Sequence, residues 1–182
     1  MIYLKQLKSV LIHKWHVFQA GKLTGVPLWR LIIHDWSKFT PTELFGYADN
    51  AGGSTDKERW AKAWLHHFHL NPHHSEHHIL SWCGNLEFYD EIGQGIAPFV
   101  TLRPMPETYV REMIADMMAT SKRVIGSYDI AHWLNQNGPK MHLHDETIAL
   151  IDKVMKEIGY ATYTDNCDWT WIWPEITAET TI

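Results

Sequence analysis

With 182 residues, 45% of them hydrophobic and 20% charged, the chain has the balance of one globular domain, long enough to bury about two-thirds of its unfolded surface. A formal net charge of −5 argues against a protein that coats nucleic acid, and no apolar run approaches the ~18 residues of a membrane helix. Ten tryptophans predict a thick aromatic core, with an aromatic-lined pocket as the alternative. Cys83 and Cys167 have no metal or redox spacing, so a reducing, cytoplasmic setting is expected. The apolar stretch after Lys5 and Lys8 is broken by His13, Lys14 and His16 and carries no small-residue cleavage site.

In chain order, residues 2–20 predict a helix with Leu4, Leu7, Leu11, Trp15 and Phe18 on one stripe. Gly21 and Gly25 end it, and Pro27 opens a second helix expected to carry His34 and Asp35. Thr40-Pro-Thr-Glu43 reads as a capping box with proline at the first helical position. After a turn at Asn50–Ser54 a helix should run to His69 or Leu70, and Asn71-Pro72 restarts it with His73 and His74 in the new first turn. The glycines and prolines from Gly84 to Pro106 mark an irregular segment, with an extended piece at Phe99–Leu102. A strong helix should follow from Met105 to about Ile125, then two more near 129–137 and 145–158. The organisation is one all-α helical domain over 1–160, with a Trp-rich tail, 161–182, packed on it.

Four features could carry chemistry. His34-Asp35-x-x-Lys38 offers a nitrogen and a hard anionic oxygen to one metal, and helical spacing would put Lys38 on their face. Metal ligands beside a cation suit a site that binds phosphate and attacks it with metal-activated water. His13 and His16 share a face of the first helix; partly buried core histidines are the plainer reading of either alone. The segment Trp64–His78 holds seven of the thirteen histidines; imidazole is a common metal ligand and a phosphate partner, and His77 and His78 read as surface. Asp116 lies among methionines and Ile114, where a carboxylate needs a partner: Arg111, Lys122, Arg123 or a metal.

The order His13, His34-Asp35, then a remote Asp116 resembles the metal pattern of the HD-domain metal-dependent phosphohydrolase superfamily. More closely, residues 13–120 look like an uncharacterised bacterial and phage family with His13-Lys14, His34-Asp-Trp-Ser-Lys38, Glu43, Trp64-Leu-His-His67, Asn71-Pro-His-His74 and Asp116. The interval from His13 to His34 is short for the superfamily and demands a tight hairpin.

The resemblance implies an HD-like bundle holding one or two divalent ions (Mn, Fe, Co, Zn or Mg) on His13, His34, Asp35 and Asp116. A second ion would draw on His66, His67, His73 and His74, with Asp35 bridging. Such metals lower the pKa of a water from about 15.7 to near 7. Lys38 would neutralise charge on phosphate oxygens, and a histidine free of metal, such as His67, would protonate the leaving oxygen. Glu43 would orient the site or merely close its capping box. The expected partner is a small phosphorylated molecule, a nucleotide among them, with homo-oligomerisation left open. Two other classes remain: a mixed-valent di-iron oxygenase with the same cage, and a non-catalytic metal-binding interaction protein.

Overall fold

No proline interrupts residues 2–24, and they form one long helix, α1 (Ile2–Thr24). The computed structural model describes residues 2–82 and 99–160. Within them follow α2 (Leu28–Ile33), α3 (Pro41–Ala51), α4 (Lys57–Leu70), α5 (Glu107–Ile125), α6 (Ile130–Asn137) and α7 (Asp145–Glu157). Strands β1 (Ile79–Trp82) and β2 (Phe99–Leu102) pair antiparallel between α4 and α5, with Ile79 opposite Leu102. Apart from this ribbon the described residues are all-α. Cys83, Cys167, most of the irregular segment and the Trp-rich tail lie outside the described residues.

The main core lies where α1, α5, α6 and α7 meet. Val17, Ile114, Met118, Ile130, Leu134, Ile151 and Met155 are sealed from solvent there. On its other side α1 packs against α3, and α3 against α4. A Cβ at Gly46 of α3 would lie 2.5 Å from the Ala63 Cβ of α4, so only glycine permits this approach. It brings the first turn of α3 within reach of the last turns of α4. The short link from α1 to α2 is the tight hairpin required: Gly25 takes φ 75°, and the Val26 amide donates to Gly21 O at 2.9 Å.

Two expectations are overturned. Of the stripe, Leu4, Leu11 and Trp15 face outward, at 72%, 54% and 59% exposure, while Leu7 is half-buried and Phe18 packs against the core's edge. The inward face is Val10, His13, Val17, Ala20, Gly21 and Thr24. Clasped between α5 and α3, α1 has room only for small side chains on that face, and the long apolar ones are displaced outward. Nor is the core aromatic. Trp15, Trp29 and Trp36 are exposed, and among the described residues the one tryptophan at the cluster, Trp133, packs half-buried against its edge. Methionine, with its flexible thioether, fills much of that space instead.

Replacing the sealed Ile114 with alanine should lower the unfolding free energy by about 2–5 kcal/mol. Trp15→Ala, for all its lost surface, should stay within about 1 kcal/mol of the parent. Urea unfolding measures both, and a Trp15→Ala cost equal to that of Ile114→Ala would contradict the orientation of α1.

Candidate metal centre

His34 and Asp35 do not ride on a helix. α2 stops at Ile33, His34 is extended at φ −48° and ψ 130°, and Asp35 turns left-handed at φ 53° and ψ 29°. Asp35 is the one described non-glycine residue with positive φ, a conformation that short polar side chains tolerate best. A 3-10 turn, Trp36–Phe39, follows and returns Lys38 to Asp35 at 2.6 Å. The expected meeting of Lys38 with Asp35 is therefore made by a turn rather than a helix face. Lys14 of α1 donates its ammonium to the carbonyls of Ile32 and His34, closing the end of α2 where its last acceptors would otherwise be orphaned.

The capping box at Thr40–Glu43 is also overturned. Thr40 is the N-cap, but its side chain makes no cap hydrogen bond; its hydroxyl donates to Ser37 O at 2.7 Å. Glu43 instead turns inward and is fully buried, accepting from His66 Nδ1 at 2.6 Å and His67 Nδ1 at 2.8 Å. Asn71-Pro72 does not restart a helix. Asn71 ends α4, where its side-chain amide donates back to His67 O at 2.7 Å and across to Ser37 Oγ at 2.6 Å. His73 and His74 then sit in a turn that folds back over α4, ahead of a 3-10 turn at Ser75–His78.

These segments converge on Asp35, and its two oxygens face different groups. Oδ2 lies 3.5 Å from His34 Nε2 and 3.8 Å from His13 Nε2. Oδ1 lies 3.5 Å from His73 Nε2 and 3.6 Å from His67 Nε2. Asp116, on α5, stands 2.8 Å from His13 Nε2 and 3.8 Å from His73 Nε2. His74 Nε2 is 2.8 Å from His67 Nε2. Three sets bring their ligand atoms within 4.8 Å of one another: His13, His34 and Asp116; Asp35, His73 and His74; and His34, His73 and Glu112. His66 stands aside, a third exposed, with its Nδ1 committed to Glu43. Trp64 packs against the rings of His67 and His74. None of Arg111, Lys122 or Arg123 meets Asp116: Arg111 pairs with Glu107 and Glu157, and Lys122 donates to Gly126 O.

Glu112, which sequence reasoning missed, is the second orienting carboxylate. It is fully buried one turn before Asp116. It accepts from His34 Nδ1 at 2.9 Å, and from Arg30 at 2.7 Å (Nε) and 2.6 Å (Nη2). The signal was available in the spacing of two carboxylates four apart on an apolar helix, and in Arg30 four residues before His34. With their Nδ1–H groups donated to Glu112 and Glu43, His34 and His67 present Nε2 lone pairs to the centre. A metal-ligating histidine has this arrangement.

Several buried polar atoms without a hydrogen-bond partner gather here: His34 Nε2, both ring nitrogens of His73, and Asp35 Oδ1. Buried polar groups are otherwise almost always paired. Burial alone would raise the Asp35 carboxyl, but His34, Lys38, His67 and His73 hold it well below the usual carboxylate range. Asp116 follows the same logic, with His13 outweighing burial. Burial also opposes the charge on His34, yet Asp35 and Glu112 raise it. His73 and His74 go the other way. Burial, aided by neighbouring histidines, lowers both, His74 to about 3.

Two outcomes follow for the metal-free protein. Glu112→Ala should cost about 3–5 kcal/mol in urea unfolding, because it strands the buried Arg30 guanidinium; a loss under about 1 kcal/mol would show that Arg30 finds water. For acid stability, the unfolded chain protonates His73 and His74 below about pH 6.5, while the folded protein keeps them neutral. Their contribution is complete above that pH and declines below it. Raised His34 acts oppositely, one histidine against two, and the urea midpoint should fall from about pH 7.5 to 5.5. His74→Gln should flatten that fall, and an unchanged slope would assign the acid loss elsewhere.

The sequence profile of a family of unknown function (DUF5662) matches residues 3–157. No curated protein and no solved structure matches the chain. The matched stretch runs from the second residue of α1 to the end of α7 and takes in every residue of the centre, and the chain belongs to this family.

Proposed function

We propose that the protein is a metal-dependent phosphohydrolase of the cytoplasm, acting on a small phosphorylated substrate. One observation carries this reading. A buried carboxylate divides its oxygens between two groups of imidazoles whose Nε2 atoms point inward, several of them without a hydrogen-bond partner. A core built only for stability would have paired these atoms or replaced them with apolar ones. The donor set of imidazole and carboxylate suits a first-row divalent ion. The order of ligands along the chain, His13, His34-Asp35 and Asp116, resembles that of the HD superfamily.

His13, His34, Asp35 and Asp116 would hold one ion. Asp35, His67, His73 and His74 would hold a second, making Asp35 the shared ligand. When bound, such ions supply Lewis acidity and a water acidified to about pKa 7. The remaining work falls to the chain. Glu112 and Glu43 hold the imidazole rings in one tautomer and one orientation. Lys38 donates one N–H to Asp35 and keeps two for phosphoryl oxygens. Burial pulls its ammonium down, but Asp35 outweighs burial and holds it above its ordinary value, so it stays charged at neutral pH. His67, with one nitrogen on Glu43 and the other turned to the cluster, serves as a ligand rather than as the free acid of the leaving group.

Elemental analysis of the untagged protein should find one or two transition-metal ions per chain, lost in Asp35→Ala with far-UV circular dichroism unchanged. Phosphate release from p-nitrophenyl phosphate should vanish with a chelator and return with the metal. A parent protein without metal, or metal content unchanged in Asp35→Ala, would remove the basis of this reading. Iron with oxygen uptake and no phosphate release would move it to an oxygenase.

A further inference from the structure

The metal centre is reached from one side by a cavity of about 220 Å³ between α1, α3 and the end of α5. His13 and Lys38 form its inner end, Gln6 and Asn50 its flanks, and Arg123 its rim. A second cavity of about 560 Å³ shares Gln6, Ser9 and Ala51 with the first and continues along the α1–α3 seam to Ile2 and Gly52. Small side chains at Ser9, Ala48, Ala51 and Gly52 keep this seam open. Together the two cavities make one groove with the candidate metal centre at its inner end.

The lining of the inner cavity is one-sided in charge. Lys38 and Arg123 face it, and no carboxylate among the described residues lines it. Arg123 forms no ion pair among the described residues. The Tyr47 hydroxyl is buried and has no hydrogen-bond partner. Burial and the nearby Glu43 keep it protonated, so it is a donor without an acceptor on the wall of an anion-sized space. An orphaned buried donor and two cations beside a metal-ligating cluster match the needs of a phosphoryl group, whose oxygens accept from every side.

The groove offers no platform for a nucleobase. The Tyr47 ring is taken: Trp60 meets it edge-on at 5.0 Å, and the Lys38 ammonium lies 5.5 Å from its centroid. Trp36 and Trp64, the aromatic residues nearest the site in sequence, line neither cavity. The remaining walls are aliphatic, amide and hydroxyl, with Lys5 along the outer cavity.

We propose that this groove is the substrate cleft. Lys38, Tyr47 and Arg123 grip the phosphate at the inner end, and a non-aromatic body, as in a sugar or polyol phosphate, lies along α1 and α3. The proposal rests on the phosphohydrolase reading and narrows its substrate class. Arg123 and Tyr47 touch substrate without touching metal.

Isothermal titration of the metal-replete protein with inorganic phosphate tests the grip. Arg123→Gln and Tyr47→Phe should each weaken phosphate about tenfold, the worth of one charge-assisted or otherwise orphaned hydrogen bond. Metal content, measured on the same samples, should not change. Ribose 5-phosphate and AMP should then compete within about threefold of each other, whereas a stacked base would favour AMP by about tenfold or more. Phosphate affinity unchanged in both variants, or no phosphate binding by metal-replete protein, overturns the cleft while leaving the metal centre standing. AMP tighter by about tenfold overturns the non-aromatic class. Protein isolated without metal overturns the reading beneath, and the elemental analysis tells that failure from the others.

Discussion

Three carboxylates, Asp35, Glu43 and Glu112, are fully withdrawn from water, and the arrangement of the inner half of the molecule follows from keeping them there. An uncompensated buried charge costs several kcal/mol, so each must be met by donors from another segment. Glu112 on α5 is met by Arg30 and His34 from the α2 end, and Glu43 on α3 by two histidines of α4. Asp35 is met by Lys38 and by imidazoles from α1, α4 and the turn beyond it. Satisfying all three at once requires α1, α3, α4, α5 and two turns to be in place together. The centre is thus a product of the tertiary fold and not of any one motif.

The same charges dictate the chemistry of the nitrogens. A carboxylate behind an imidazole keeps the proton on Nδ1 and leaves Nε2 for whatever occupies the centre. Glu112 does this for His34, and Glu43 for His67. Asn71 fixes the backbone beneath His67 through its carbonyl and ties it to Ser37 in the Asp35 turn. The groove beside the centre differs in kind: its unspent groups are donors and cations, whereas the centre's are lone pairs. Donor-lined and acceptor-lined spaces therefore lie side by side, with Lys38 at the boundary between them.

Much of this was legible in the sequence, unevenly and for physical reasons. The helix start at Pro41 and the long apolar periodicity of α5 were readable because local chemistry sets them. His13, His34, Asp35, His73, His74 and Asp116 stood out because those residue types are uncommon in apolar surroundings without a partner. The backbone at His34 and Asp35 was not readable: a left-handed residue is favoured by tertiary contacts such as Lys14 capping α2, and nothing in a run of Leu-Ile-Ile announces it. The outward face of α1 was misjudged because apolar residues occur on all its sides, and only the close approach of α3 and α5 chooses the small-residue face. Glu43 fitted a local capping rule that a histidine pair on another helix overrode. Glu112 escaped because its partners, Arg30 and His34, are about eighty residues away.

The left-handed turn at Asp35 restricts what the position can become. Glycine and asparagine share aspartate's ease in that conformation, but glycine has no side chain and asparagine no charge. Glutamate is charged, yet its longer side chain is less at ease in that turn, and histidine tolerates the turn but offers one neutral nitrogen in place of two anionic oxygens. Aspartate alone meets both demands, so the proposed shared ligand has almost no neighbouring sequence to drift into. The histidines of the α4 end, crowded and partly redundant, carry no such backbone restriction. Variation in the donor set of this architecture has its open route through His67, His73 and His74, around an aspartate that stays fixed.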